Sequence, residues 1–286
     1  MDGYEYLAVH RTMLQDGVRT NAYRDAIREV VRPGDRVIDF GCGTGILSFF
    51  ASQCGAREVD AIESTKIIRV AKAVAEQNRL LNINFHSGRG ETIELPEKAD
   101  VIISEWMGHF VFFEWMLPPL LRIRDNFLAP GGKMIPRKIV MKIGFITDSH
   151  VFDNHRYFAS VPYGIDFSPV QDWPFYSAEV GNVPSGSILP ETATVKTIDL
   201  YTCEAVPPPM SGTVRIAEAA TIYGLCGWFE AELSDSVTLR TGPFDEPTHW
   251  QQLIFPLSKP LSARQGAELT ATIHARRGKP ENPTMW

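Results

Sequence analysis

Arg36-Val37-Ile38-Asp39-Phe40-Gly41-Cys42-Gly43-Thr44-Gly45-Ile46-Leu47-Ser48 decides how the rest of the chain is read. The turn Pro33-Gly34-Asp35 leads into a short buried strand, Arg36 to Phe40, and the apolar-rich segment Ile46 to Cys54 forms a helix. Between them, a glycine loop lets backbone N–H groups approach a ligand with no Cβ in the way, at the positive end of the helix dipole. A second strand, Glu58-Val59-Asp60-Ala61-Ile62, ends at Glu63, where an acid can accept hydrogen bonds from both ribose hydroxyls, with Ser64 beside it. Strand, glycine loop, helix, strand and acid in that order indicate a nucleoside cofactor rather than a purely structural glycine turn.

Spacing narrows the cofactor. A dinucleotide fingerprint reads GxGxxG, but here the order is GxGxG and Ile46 stands at the third glycine; a Walker GxxxxGK[ST] is absent as well. S-adenosylmethionine, with ribose and adenine but no phosphate, fits better. The alternation continues through a helix over 65–80, a strand at Ile83-Asn84-Phe85-His86, the turn Gly88-Arg89-Gly90-Glu91, and the apolar run Val101-Ile102-Ile103. A helix from Leu117 to Leu128 follows, ended by Ala129-Pro130-Gly131-Gly132. Such βαβ spacing predicts a parallel sheet whose strand C-termini share one edge, lined by Asp39, Glu63, Glu91 and Glu105. Glu91 then either accepts from the adenine amino group or is an exposed loop acid.

The stretch Ser104-Glu105-Trp106-Met107-Gly108-His109-Phe110-Val111-Phe112-Phe113-Glu114-Trp115-Met116 sets two carboxylates among aromatic and sulfur side chains. In one continuous helix, nine steps of about 100° would put Glu105 and Glu114 on opposite faces. A turn at Gly108 brings both to one point, where they suit a flat cation; without it they are ordinary solvated acids. Upstream, Leu7, Met13, Leu14, Val18, Tyr23, Ala26, Ile27 and Val30 give a helical period broken at Gly17, which predicts two jointed helices. His10, Asp16 and Arg19 lie on them, either facing what sits beneath or on an outer polar face.

The 286 residues are 44% hydrophobic and 22% charged, with net charge −6, a composition that carries no basic footprint for nucleic acid. No apolar stretch approaches the roughly 20 residues of a membrane span and no signal peptide is evident, so the expected location is the cytoplasm. Cys42, Cys54, Cys203 and Cys226 lack CxxC spacing and are read as buried thiols, with no metal site. From about residue 140, short Val/Thr/Ile/Tyr runs between Pro and Gly predict a β-rich second domain. Residues 150 to 192, aromatic and proline-rich as in Tyr157-Phe158 and Trp173-Pro174-Phe175-Tyr176, have the composition of an element that packs on another subunit, or of a loop folded on its own domain.

These motifs converge on a family. Over nearly its whole length the chain resembles the protein arginine N-methyltransferases, through Val37 to Ser48, through Ser104-Glu105-Trp106-Met107-Gly108 continuing to Glu114, and through Thr248-His249-Trp250. The resemblance implies helices at 1–30 over the cofactor, a Rossmann-like domain at 31–139, and a β-barrel-like domain at 140–286 with a dimerisation arm at about 150–192. It implies that Arg19 holds the cofactor carboxylate, that Gly41 and Gly43 approach its methionine part, and that Glu63 binds ribose and Glu91 the adenine side. His10, Asp39 and Ser64 complete this cofactor set. Glu105 and Glu114 would grip a guanidinium, His249 would pair with Asp16 beside the pocket, and Met13, Met107, Trp250 and Tyr4 would line the substrate. Three features depart from the family: only Tyr4 remains of its Tyr-Phe-containing first helix, Arg11 and Thr12 stand where acids are common, and the chain stops at Trp286, before further barrel strands.

Two carboxylates answer a chemical difficulty. A guanidinium stays protonated, and its delocalised lone pairs make poor nucleophiles. Charge-assisted hydrogen bonds draw positive charge to the gripped nitrogens and leave the remaining one richer in electrons, in line with a sulfonium methyl. Glu114 or the Asp16–His249 pair accepts the proton. The leading expectation is methylation of arginine in a protein or peptide by a homodimer, with monomethyl arginine alone or monomethyl and asymmetric dimethyl arginine as product. A methyltransferase of free arginine or another small guanidine, and an inactive cofactor-binding scaffold, are the alternatives.

Overall fold

The computed structural model describes residues 3–90, 92–112, 114–204, 210–279 and 282–285. After a 3-10 turn at Gly3–Glu5 come two helices, α1 (Leu7–Gln15) and α2 (Gly17–Val30). Their joint is Asp16, whose extended backbone ends α1 and whose carboxylate caps α2 by accepting from Arg19 N at 2.9 Å. Arg19, Tyr23, Ala26 and Ile27 lie on one face of α2 and are buried by it.

The first domain continues with β1 (Arg36–Phe40), α3 (Ile46–Gln53), β2 (Glu58–Glu63), α4 (Ile68–Gln77), β3 (Ile83–Ser87), β4 (Ala99–Ile103), α5 (Leu117–Phe127) and β5 (Leu128–Ile135). The sheet runs β3-β2-β1-β4-β5, every pair parallel. All five residues of the central β1 are buried, as a strand covered on both faces requires. Asp39 sits level with Ala61 on β2 and Ile103 on β4, so the strand ends share one edge. Chain order reverses between β1 and β4, the crevice where open α/β sheets bind ligands.

Two boundaries differ from the sequence reading. The helix expected over 65–80 is shorter, because Arg79 at φ +56° turns the chain out after Asn78. Ala129 to Gly132 do not simply end α5: the register jumps from Ala99↔Leu128 to Val101↔Lys133, so these residues form an excursion within β5, with Gly131 at φ +77°.

The second domain holds β6 (Lys138–Ile146), α6 (Ser149–His155), β7 (Glu179–Gly181), β8 (Ile188–Asp199), β9 (Met210–Arg215), β10 (Ala220–Glu232), β11 (Thr238–Arg240), β12 (Gln252–Ala263), β13 (Glu268–Ile273), β14 (Arg276–Lys279) and β15 (Asn282–Met285). Its main sheet runs β7-β12-β10-β6-β8 with β11 on β10, while β9 pairs with β13 and β14 with β15. Among the described residues the hydrogen-bonded ladder therefore stays open, a barrel-like wall rather than a closed barrel.

The stretch expected as an arm divides. Its last part is sheet, since β7 pairs with β12 and β8 with β6. From Ser149 to Tyr176 it is α6 and four 3-10 turns, anchored by Phe152 against Phe175 and Tyr223 at 5.8 and 6.1 Å between ring centres. Beyond that anchor Tyr163 is 98% and Trp173 68% exposed.

One apolar core spans both domains. Phe110 meets Phe255 across the seam, ring centres 6.2 Å apart, and Arg124 donates to the carbonyls of Leu200 and Cys203. All four cysteines are free, but only Cys42 and Cys226 are buried; Cys54 and Cys203 are half-buried. Among the described residues no group of acids, histidines and thiols could hold a metal ion, and no helix is long and apolar enough to cross a membrane.

Candidate active site

The glycine loop lies on the sheet edge at the ends of β1 and β2. Gly41 and Gly43 take φ +79° and +54°, conformations L side chains rarely adopt, and a Cβ on Gly43 would come 3.0 Å from the His10 ring. His10 is itself buried, its Nε2 2.9 Å from the Tyr4 carbonyl, so α1 closes over the loop. Glu63 ties the loop to β2: its Oε2 accepts from Gly43 N at 3.1 Å and its Oε1 from Thr65 N at 2.7 Å. Ser64 is exposed beside it. Asp39 is fully buried and accepts from Ser48 Oγ at 2.6 Å, while its Oδ1 has no protein partner. Burial first, then the charge of Glu63, lifts its carboxyl to about 6 against the Ser48 hydrogen bonds. Glu91 lies outside the described residues.

Glu105 follows β4 through Ser104, whose Oγ donates to Phe40 O at 2.7 Å and whose N donates to Ile135 O at 2.9 Å. The loop thus leaves the sheet pinned to β1 and β5. The reversal expected at Gly108 is there, at φ +55°, but Val111 at +57° and Trp115 at +53° share it. Such non-glycine positions cost about 1–2 kcal/mol each and persist only where packing dictates them; Val111 is fully buried. No sequence signal marked these two, since both residues normally avoid left-handed backbone.

Glu114 emerges just before α5, partly buried, and the Tyr4 hydroxyl donates to its Oε1. Desolvation, and then the negative charge of Glu105, push the Glu114 carboxyl up to about 8, against the pull of the Tyr4 hydrogen bond. The Tyr4 hydroxyl is raised far above its ordinary range, by burial first and then by both glutamates. On the other side, Arg19 places Nε and Nη2 at 3.3 and 3.0 Å from Glu105 Oε2. The two carboxylates therefore feel one another, and one of them already receives a guanidinium. Two such carboxylates can hold a planar cation.

The second domain brings Thr248-His249-Trp250 to the same place. Asp16 Oδ2 accepts from His249 N at 2.9 Å and faces His249 Nδ1 at 2.7 Å, so Nδ1 carries a proton directed at the carboxylate. Burial opposes ionisation of Asp16, but the hydrogen bonds from His249 and Arg19 outweigh it and hold the carboxyl below its ordinary value.

Two residues expected to touch substrate are buried. Trp250 is 3% exposed, its ring 4.3 Å from the centre of His249 and 5.3 Å from that of Phe229. Met107 is fully buried, its sulfur 4.0 Å from the Tyr23 hydroxyl. Both belong to the apolar core, whereas Met13 is half-buried on α1. Sequence reasoning passed over Met116, whose methyl lies 3.9 Å from where a Cβ on Gly41 would stand, and His109, whose Nδ1 lies 2.5 Å from the Trp250 carbonyl. The second contact joins residues 141 positions apart, which no local pattern announces.

The chain is similar to known methyltransferases. The family model "Arginine methyltransferase oligomerization subdomain" matches residues 140–284, half of the chain, and "Ribosomal protein L11 methyltransferase (PrmA)" matches residues 20–135. Protein arginine N-methyltransferase 1 of Schizosaccharomyces pombe is 34% identical over 281 residues, covering 95% of this chain and 83% of its own. The same-named protein of Dictyostelium discoideum is 32% identical, covering 95% and 82%. Among solved structures, the Trypanosoma brucei PRMT1 enzyme-prozyme heterotetrameric complex with AdoHcy superposes with a TM-score of 0.91 at 32% identity, over 98% of this chain and 92% of that one. Arabidopsis thaliana protein arginine methyltransferase 10, in an open conformation, gives 0.84 at 29% identity, over 96% and 90%.

Proposed function

The chain belongs to the protein arginine N-methyltransferase family, enzymes that use S-adenosylmethionine, and we propose that it methylates a guanidino nitrogen of arginine in a protein or peptide, with Glu105 and Glu114 as the grip. One observation supports this above the others: two coupled carboxylates, one of them lifted to about 8 by burial and by its neighbour, stand beside a glycine loop at the cofactor edge. A bound guanidinium relieves that coupling, and a neutral ligand does not.

The residues present fit the cofactor. Gly41 and Gly43 set no Cβ against its methionine part, Glu63 has acceptor capacity for the ribose hydroxyls beyond the two backbone N–H groups it holds, and the orphaned buried Asp39 Oδ1 marks a place for a donor. His10 and Ser64 flank the loop. Arg19 would hold the cofactor carboxylate while keeping Glu105 in place. When bound, S-adenosylmethionine supplies an electrophilic methyl on a sulfonium.

The chain's own residues do the rest. Glu105 and Glu114 orient the guanidinium plane and draw charge to the nitrogens they hold, leaving the third nitrogen as nucleophile. Tyr4 holds Glu114 Oε1 and so aims that carboxylate. The proton released as the methyl transfers passes to Glu114 or to Nε2 of His249, whose imidazolium Asp16 stabilises. Monomethylarginine is the first product and asymmetric dimethylarginine the second, with Met13 beside the pocket.

The protein acts as a homodimer in this reading. Tyr163, Trp173, Val161 and Ile165 on the projecting element, each more than half exposed, need a covering surface, and Tyr6, Leu7 and Leu14 on and before α1 offer an apolar one. Incubation with labelled cofactor and an equimolar mixture of an arginine-rich peptide and free arginine tests the substrate. Label in the peptide supports the reading; label confined to free arginine replaces it with a small-molecule enzyme.

A further inference from the structure

The Thr-His-Trp turn and the glutamate loop come from different domains, and their spacing decides whether Glu105, Glu114 and His249 address one atom. Gln251 N donates to Thr248 O at 3.1 Å and Gln251 takes φ +53°, so the turn closes on itself and β12 begins only at Gln252. The Trp250 carbonyl is thereby left outside the β12 ladder, in a residue only 3% exposed. A buried carbonyl needs a donor. His109 provides one, its Nδ1 2.5 Å from that oxygen. Because a carbonyl only accepts, the His109 proton sits on Nδ1.

The position of His109 on its own loop matters as much. It follows Gly108 at φ +55° and precedes Val111 at φ +57°, so it stands on the reversal that separates Glu105 from Glu114. The turn it reaches is held from the other side by Asp16, through His249 N and Nδ1. Phe110, the next residue, packs on Phe255 and against Gly227, which places the loop on the second domain, and ring packing by itself carries little directional constraint. A directed hydrogen bond adds that constraint. Burial first, and then the nearby His249, favour the neutral ring, which still donates through Nδ1.

We propose that His109 is a positioning residue for methyl transfer: its Nδ1–H bond to the Trp250 carbonyl locks the glutamate loop to the turn that carries His249. The proposal rests on the arginine-methyltransferase reading given above. His109→Asn puts an amide N–H where Nδ1 stood, whereas His109→Phe keeps a ring and removes the donor. The Phe variant is expected to lower kcat by about tenfold or more at little-changed peptide KM and cofactor affinity, and the Asn variant to recover most of that loss. Hydrogen exchange of residues 104–116 and 248–252 should quicken in the Phe variant and return towards wild type in the Asn variant. Wild-type kcat in His109→Phe, or an Asn variant as slow as the Phe variant, would overturn the proposal, as would faster exchange with no loss of kcat. A wild-type protein that methylates no arginine would remove the functional reading, while the exchange comparison would still decide whether the lock exists.

Discussion

Glu114 should make the enzyme pH-dependent in a range where free carboxylates do not titrate. A rise from 4.5 to about 8 makes the ionised form roughly 5 kcal/mol less favourable in the free protein than in water. The sign follows from the folded pKa lying above the unfolded one: Glu114 does not penalise folding below its ordinary pKa, and its desolvated charge costs stability progressively as pH rises towards 8. Catalysis runs the other way, because only the carboxylate grips a cation. At pH 7 roughly one molecule in ten carries Glu114 ionised before substrate binds, so kcat/KM for a peptide should climb about tenfold from pH 7 to a plateau near 9. Two of the groups around it do not mimic this: Tyr4 titrates far above the range, and Asp39, raised to about 6, titrates mostly below it. Initial rates between pH 6 and 9.5, with cofactor affinity measured at each pH, are the assay. Glu114→Gln should lose the rising limb along with most of its turnover, and at pH 9 should melt at a higher temperature than wild type. A flat wild-type profile, or an unchanged limb in the variant, would refute the reasoning.

Three further outcomes are expected. Glu63→Ala removes the acceptor proposed for ribose and frees the N–H groups of Gly43 and Thr65, so calorimetry should show cofactor affinity lower by about tenfold to a hundredfold with the fold retained; unchanged affinity contradicts its role. Asp16→Asn can still cap α2 but offers His249 no negative charge, so kcat should fall about tenfold or more while cofactor affinity changes little; equal kcat would remove the Asp16–His249 pair from the chemistry. Trp173→Lys with Tyr163→Lys places charge on the exposed aromatic face, and sedimentation should show monomers with reduced activity where wild type is dimeric; a wild-type monomer with full activity would leave that stretch as an ordinary surface element.

Much of this was legible along the chain because its causes are local. Arg36 to Phe40 needed only an apolar run and a turn before it, and Gly41 and Gly43 announced their left-handed backbone by lacking a Cβ. The Asp16 joint was less visible, since a cap and an ion-pair partner look alike until His249 arrives from the other domain. Three things lay beyond a linear reading. Val111 and Trp115 are held left-handed by tertiary packing against their own preference. Trp250 and Met107, which the family resemblance puts at the substrate, are buried in the apolar core, a depth that residue order along the chain does not show. The excursion at Ala129 to Gly132 is a matter of register, which turn residues alone do not specify.

The central claim is that Glu105 and Glu114 together activate a guanidinium. Methyl transfer to an arginine peptide, followed by mass spectrometry in single turnover with cofactor-saturated protein, tests it most directly in wild type, Glu105→Gln and Glu114→Gln. The account predicts methylarginine from wild type and rates lower by about a hundredfold or more in each variant, with cofactor affinity preserved. Either variant turning over at nearly the wild-type rate, or cofactor-bound wild type leaving the arginine unmodified, would contradict it.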